Sequence, residues 1–411
     1  MGLVVQKFGG TSVAGPDRLK IVAQRLVAAR DAGNDVVGVL SAMGGATDDL
    51  IELAHQVSAA PHPRELDMLL SVGERISCAL AAMAIQDLGH TAISLTGSQA
   101  GVVTDTEHTR AKVLEIRPRR IHDALAQGAI VLVAGFQGVS TANEVTTLGR
   151  GGSDATAVAL AAVLEADVCE IYTDVDGIYT ADPRIVPSAR KLAALSFEEM
   201  LELSSSGAKV LMLRSVEFAR NHGVRIHVRS AFKPDEGTWV VSQEELMEQA
   251  IISGIAHDTS EAELTILSVP DRPGVAALVF GALAEAGVNV DMIVQNVSAD
   301  GATDISFTLP KDDVGRAEEI LGPLVEEIGA KGLSHDPNVA KISLVGAGMR
   351  SHPGVAADMF AALAEAGVNI GIISTSAIRI SCVVPAADVE RAVQAVHERF
   401  KLHEPVVTAE A

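Results

Sequence analysis

The chain repeats itself in its last third. PGVAALVFGALAEAGVNV at residues 273–290 and PGVAADMFAALAEAGVNI at 353–370 agree at fourteen of eighteen positions, 80 residues apart. Each copy follows a β-type run (Leu264–Val269 and Lys341–Val345) and precedes another (Asp304–Leu309 and Ile378–Val384). Strand, Pro-Gly turn, helix and Gly-Val-Asn turn into a further strand make a small α+β unit, present twice. A duplicated unit suits two similar pockets for a small ligand. The plainer alternative is a repeated packing unit that binds nothing.

Ahead of the repeats the pattern changes. Apolar runs at Leu3–Gln6, Asp35–Leu40, Ala92–Leu95, Ala129–Ala134, Val168–Thr173 and Arg225–Val228 alternate with amphipathic stretches at Asp17–Arg30, Glu65–Leu88, Ile121–Ala126 and Asp154–Leu164. That alternation predicts βαβ units and a mainly parallel sheet covered on both faces. Ligands of such sheets lie where strands end and loops turn toward helices. Composition shifts after Val241, and the acidic Ser242–Gln249 (SQEELMEQ) reads as a helical connector. The expected division is 1–241, a connector at 242–262, and two small units at 263–335 and 336–411, with strand exchange between the last two allowed.

Asp and Glu total 53 against 32 Lys and Arg, a net charge of −21. Phosphate-backbone binding needs a basic surface, so nucleic acid is not an expected partner. Cys78, Cys169 and Cys382 stand alone in apolar stretches and read as buried thiols of a reducing compartment. No signal-like segment is visible, Gln6 replaces the Ser or Thr of a myristoylation motif, and no apolar run approaches the roughly 18 residues of a spanning helix. A cytoplasmic protein without a membrane partner is expected.

Three segments carry candidate chemistry. Lys7-Phe8-Gly9-Gly10-Thr11-Ser12 sets a lysine before two glycines, the reverse of a P-loop. Glycines there would let backbone N–H groups form an anion nest, with Lys7 as a point charge; a tight turn with a surface lysine is equally open. Thr147-Leu148-Gly149-Arg150-Gly151-Gly152-Ser153-Asp154 opens an apolar helix, aiming N–H groups and the helix dipole at an anion. Arg150 can fork onto a carboxylate, while Ser153 and Asp154 also suit helix capping. Tyr172 to Arg184 (YTDVDGIYTADPR) follows a strand and holds both tyrosines; it fits a base or ribose grip, or an Asp-Gly turn with packed rings. It lacks the ligand spacing of an EF-hand. There is no H-E-x-x-H or G-x-S-x-G, and His257, His335 and His352 read as solvated loop residues.

KFGGTS, SAMGGATDDL, SVGERIS, TGSQAG, TTLGRGGSDATAVALA, TDVDGIYTADPR and GAKVL, followed by two tandem units, resemble the aspartate kinase (aspartokinase) family across essentially the whole chain. The resemblance implies an amino-acid-kinase αβα sandwich with a mainly parallel sheet, followed by two α+β ACT domains of ferredoxin-like fold. It implies ATP with Mg²⁺, the ion held by phosphates and water without a direct protein ligand, and L-aspartate as acceptor. The product would be 4-phospho-L-aspartate, the entry to lysine, threonine and methionine synthesis. Catalytic roles fall on Lys7 and Asp154. Nucleotide contacts fall on Lys7, Gly9, Gly10, Thr173, Asp174, Tyr179, Asp182, Arg184, Lys209 and Val210. Substrate contacts fall on Ser41, Thr47, Glu74, Arg150 and Ser153: Arg150 for the α-carboxylate, Glu74 for the ammonium.

Effector contacts fall by the same resemblance on Asp271, Gly274, Asn289, Asp291, Gln295, Asn296, Asn369 and Thr375, for threonine and/or lysine. Two departures bear on this. Val275 stands where many relatives carry glutamate, and Ala377 where TSE is common, which removes an acidic partner for an effector ammonium. A homo-oligomer, or an oligomer with an ACT-only subunit started at Met247, is implied. The alternatives are a kinase for another acidic amino acid and a catalytically silent amino-acid sensor. Retention of Lys7, Glu74, Arg150 and Asp154 disfavours the sensor.

Overall fold

The computed structural model describes residues 2–246, 251–295 and 302–405. Two compact units emerge: Met1–Ile178, Lys191–Ser204 and Lys209–Met247 form the first, and Tyr179–Arg190, Ser205–Ala208 and Glu248–Ala411 the second. Met247 and Asn296 lie outside the described residues.

The strands of the first unit are β1 (Leu3–Phe8), β2 (Asp35–Leu40), β3 (Ala92–Leu95), β4 (Val102–Thr104), β5 (Val113–Ile116), β6 (Ile130–Ala134), β7 (Gln137–Ser140), β8 (Val145–Thr147), β9 (Val168–Thr173), β10 (Ala194–Ser196), β11 (Ile226–Ser230) and β12 (Thr238–Val241). The main sheet runs β10-β12-β11-β9-β1-β2-β6-β3. It is parallel except where β12 runs antiparallel to β11. Central strands such as VVGVL and IVLVA are buried along their length, as a sheet covered on both faces requires. A smaller sheet, β5-β4-β7-β8, arises from residues 102–147, where the strands are three or four residues long and give little alternation to read.

Helices α1 (Pro16–Asp31), α2 (Ala46–Val57), α3 (Pro63–Leu70), α4 (Val72–Asp87), α5 (Arg119–Ala126), α6 (Gly152–Val163), α7 (Phe197–Ser205) and α8 (Leu213–His222) follow in chain order. The expected helix 65–88 is two helices meeting at Ser71. Contrary to the expectation that no segment approaches spanning length, Pro63–Asp87 passes that test by length and composition; half of it is buried within the fold, and it carries the buried acids Asp67 and Glu74. It is a core element. In α6 every residue from Gly152 to Ala161 is buried, half of them Ala or Gly, so the helix sits close to β1.

The second unit holds β13 (Gly254–Asp258), β14 (Glu261–Pro270), α9 (Val275–Glu285), β15 (Ile293–Gln295), β16 (Ala302–Pro310), α10 (Val314–Ile328), β17 (Gly332–Asp336), β18 (Val339–Val345), α11 (Val355–Glu365), β19 (Ile373–Thr375), β20 (Arg379–Pro385) and α12 (Val389–Arg399). Its sheets are β15-β16-β14-β17 and β13-β18-β20-β19. Each repeat helix starts behind a left-handed glycine, Gly274 (φ 98°) or Gly354 (φ 104°), a conformation a β-carbon would strain. The 242–262 stretch contains β13, which pairs antiparallel with β18 and completes the second repeat's sheet. Of the helix expected at 242–249, residues 243–245 form one 3₁₀ turn with a Ser242–Glu245 capping box, and 247–249 lie outside the described residues. Ala181 and Val186 pack into the second repeat's core with Ile342, Leu344 and Met359. His257 lies on β13, not on a loop.

Candidate active site

Lys7 is the penultimate residue of β1, and strand alternation turns it and Phe8 to opposite faces. Phe8 stacks on Tyr172 at 4.7 Å, which commits that tyrosine to the core and removes it as a base platform. Lys7 points to α6, where its Nζ lies 2.6 Å from Asp154 Oδ1; the side chains are 12 % and 8 % exposed. A buried carboxylate on the first turn of α6 thus fixes the ammonium at the sheet's carboxyl edge.

The two glycines after Lys7 serve close approach, and the expected nest is not their arrangement. Gly9 has φ −70° and its N–H donates to the Tyr172 carbonyl at 3.3 Å, so that donor is already used. A β-carbon on Gly9 would sit 3.4 Å from Lys7 Nζ, and one on Gly10 3.1 Å from the Ala42 carbonyl. Gly10 accepts from Gly44 N–H, drawing the 41–45 loop against the lysine turn. Ser41 follows β2, with its N–H on the Phe8 carbonyl. Thr47 lies in the first turn of α2, half-buried.

Glu74 sits in the first turn of α4, 3 % exposed, with Oε1 accepting from Ala42 N–H at 3.1 Å. Its Oε2 has no hydrogen-bond partner among the described residues. Burial pushes its carboxyl up to about 7, against the opposing pull of backbone donors. Gly73 allows this fit, because a β-carbon there would meet the Ala42 methyl at 2.7 Å. The arrangement offers a buried anion, half used, to an incoming cation.

The glycine-rich turn before α6 differs from the capping expectation. Gly151, left-handed at φ 74°, is the N-cap, and Ser153 is inside the helix, over Gly135, where a β-carbon would lie 2.8 Å from its Oγ. Arg150 stands exposed between the left-handed Gly149 and Gly151, without an ion-pair partner among the described residues. Thr173 ends β9 and its hydroxyl donates to Asp174 at 3.2 Å. Lys209 and Val210 lie in the turn between α7 and α8, Lys209 exposed. Tyr179, Asp182 and Arg184 belong to the second unit, and there Arg184 holds the Asp182 carboxyl below its ordinary range through an ion pair at 2.7 Å.

Among the effector candidates, Gly274 lies on a turn, Asp271 and Asn289 lie in the connections around α9, Gln295 ends β15, and Asn369 is exposed after α11. Asp291 is ion-paired with the buried Lys341, so its carboxylate is engaged. Thr375 lines a groove of about 450 Å³ with Met349, Arg350, His352, Gly354 and Ala377. Among the described residues no acidic side chain lines it. Residues that sequence reasoning passed over include Asp67 and Lys341; an acid on the apolar face of LDMLL and a lysine opening an apolar strand were the available signals.

The amino acid kinase family matches residues 2–230, and the ACT domain matches 267–322 and 342–400. The chain is 60 % identical to an aspartokinase of Mycolicibacterium smegmatis over 98 % of its own length and 97 % of that protein. E. coli aspartokinase III in complex with aspartate and ADP, in the R-state, superposes with a TM-score of 0.83 at 27 % identity, over 97 % of this chain and 99 % of that one. The same enzyme with lysine and aspartate, in the T-state, gives 0.75 at 27 % identity and the same coverage.

Proposed function

This chain belongs to the aspartokinases of the amino acid kinase family, and from that premise we propose that it transfers the γ-phosphoryl group of ATP to the side-chain carboxylate of L-aspartate, releasing ADP. The observation that carries the assignment is Lys7, held by Asp154 at a strand end beside a glycine that leaves its ammonium room. The complex of E. coli aspartokinase III with aspartate and ADP supports it.

A side-chain carboxylate is ionised at neutral pH, so the nucleophile needs no general base. One carboxylate oxygen bonds to the γ-phosphorus as the bond to the β–γ bridging oxygen breaks, and the ADP oxygen takes the electron pair. The obstacle is repulsion between two anions. Lys7 lowers it by standing between them, while Asp154 prevents the ammonium from swinging away. Glu74 receives the substrate ammonium on its free oxygen, and Arg150 the α-carboxylate, leaving the side-chain carboxylate directed at Lys7. No group of three His, Cys, Asp or Glu among the described residues suits a metal ion. On this reading magnesium would arrive with ATP, held by phosphate oxygens and water.

We assign the repeats to control by an amino acid. The groove at Thr375 offers Arg350 to a carboxylate and, with Ala377, no carboxylate to a side-chain ammonium. That favours a neutral effector such as threonine over lysine; on this reading the product, 4-phospho-L-aspartate, would feed synthesis of lysine, threonine and methionine. Coupled measurement of ADP release with aspartate, glutamate and no acceptor, each with and without threonine or lysine, tests both parts. Aspartate-dependent release is expected; silence without effector would favour the sensor, and preference for glutamate another kinase.

A further inference from the structure

Asp67 on α3 is fully buried, yet its carboxylate is crowded with donors from distant parts of the first unit. Thr109 N–H reaches both oxygens at 3.0 and 3.1 Å, the Thr147 hydroxyl donates to Oδ1 at 2.6 Å, and His108 Nδ1 lies 2.6 Å from Oδ2. A buried charge is costly unless so satisfied, and once satisfied it fixes direction as apolar packing does not.

The elements it joins are the informative part. Thr147 ends β8, three residues before Arg150. The Thr109 carbonyl lies under Gly149, 3.1 Å from where a β-carbon would be, and the Arg214 guanidinium clamps the carbonyls of Ala111 and Leu148 at 3.2 and 3.4 Å. The turn bearing Arg150 is therefore held from Asp67 on one side and Arg214 on the other. On its own helix, Asp67 leads through Ser71 into α4, which carries Glu74. Gln137 on β7 donates to the Ser71 carbonyl at 2.7 Å and fastens that junction to the same small sheet.

We propose that Asp67 is a positioning residue that fixes where Glu74 and Arg150 hold the amino-acid end of the substrate relative to Lys7, and so the length of the acidic amino acid accepted. The inference rests on the reading that these two side chains hold the substrate's ammonium and α-carboxylate. Fixing both poles determines how far the side-chain carboxylate reaches toward Lys7. One methylene more, as in glutamate, overshoots; a looser frame forgives it.

Thr147→Val removes one tie without unpairing all of Asp67, Thr147→Ser keeps the hydroxyl, and Asp67→Asn weakens the whole set. Thr147→Val and Asp67→Asn should raise KM for aspartate about tenfold or more and narrow the preference for aspartate over glutamate. KM for ATP should stay within about twofold, and Thr147→Ser should restore wild-type behaviour. Unchanged KM and preference in Thr147→Val would overturn the proposal, as would a parallel rise in both KM values, which marks general loosening. Glu74→Gln and Arg150→Ala serve as the reference. If they leave KM for aspartate unmoved, the reading of the two poles fails and the proposal with it; if they raise it and Thr147→Val does not, only Asp67's role falls.

Discussion

The two units each enclose a lysine, Lys341 fully and Lys7 in large part, and they treat it in opposite ways. Lys341 on β18 is 1 % exposed and meets Glu261 at 2.6 Å, Asp291, and the Ser205 carbonyl at 3.5 Å, so its three donors are spent. Burial works against its charge, but the two carboxylates more than offset that and raise its pKa. Lys7 in the first unit is 12 % exposed and has one carboxylate partner among the described residues, which leaves donors free at a glycine turn. A saturated lysine is a strut between strands; a lysine held on one side only is a reagent for anions. Both are charged and enclosed, so the number of partners separates structure from chemistry.

The sharpest way to break this comparison is at Lys341. Lys341→Ala strands Glu261 and Asp291 and should cost about 3–5 kcal/mol in urea unfolding of the second unit. A shift near zero would reduce it to an ordinary surface pair. Lys7→Ala leaves one buried carboxylate, Asp154, unpaired and so should also lower the unfolding midpoint. Its distinguishing effect should be a fall in kcat of about 10²-fold or more in the ADP-release assay. Near-normal turnover would remove Lys7 from the chemistry.

A smaller effect concerns Glu74, whose carboxyl stands at about 7 without substrate. Its ionised form receives the ammonium, so KM for aspartate should rise roughly fivefold from pH 7 to pH 6 by simple titration, and Glu74→Gln should abolish that slope. Because the folded value is raised, the contribution of Glu74 to stability is present below its ordinary value and lost as pH rises through about 7. Smallest is the effector groove: Ala377→Glu should lower the lysine concentration for half-inhibition by about two- to fivefold, the scale of one exposed ion pair. No gain in lysine response would detach position 377 from effector choice.

Legibility followed sequence distance. Strands β1, β2, β3, β6, β9 and β11 and both repeat helices lay close to where periodicity set them, since those signals involve neighbours along the chain. Lys7 was legible for the same reason: a lysine leaving an apolar run into two glycines announces itself locally. The small sheet was not, because its short strands pair across loops. Gly9 illustrates a nearer miss, its residue type read correctly for room but its N–H already engaged by Tyr172, on a strand more than 160 residues away. Asp291 looked available in VNVDMIVQNVS until folding set Lys341 against it.

By itself, then, the sequence determined the alternating layers, the repeat, and the local turns that carry Lys7, Glu74, Arg150 and Asp154. Tertiary structure alone decided which charges are spent and which are free. Asp67 reads as an ordinary helix acid until residues 108, 109 and 147 close over it. The physical reason is that backbone shape is encoded by side chains a few residues apart, whereas the state of a buried charge depends on donors that only packing brings within about 3 Å.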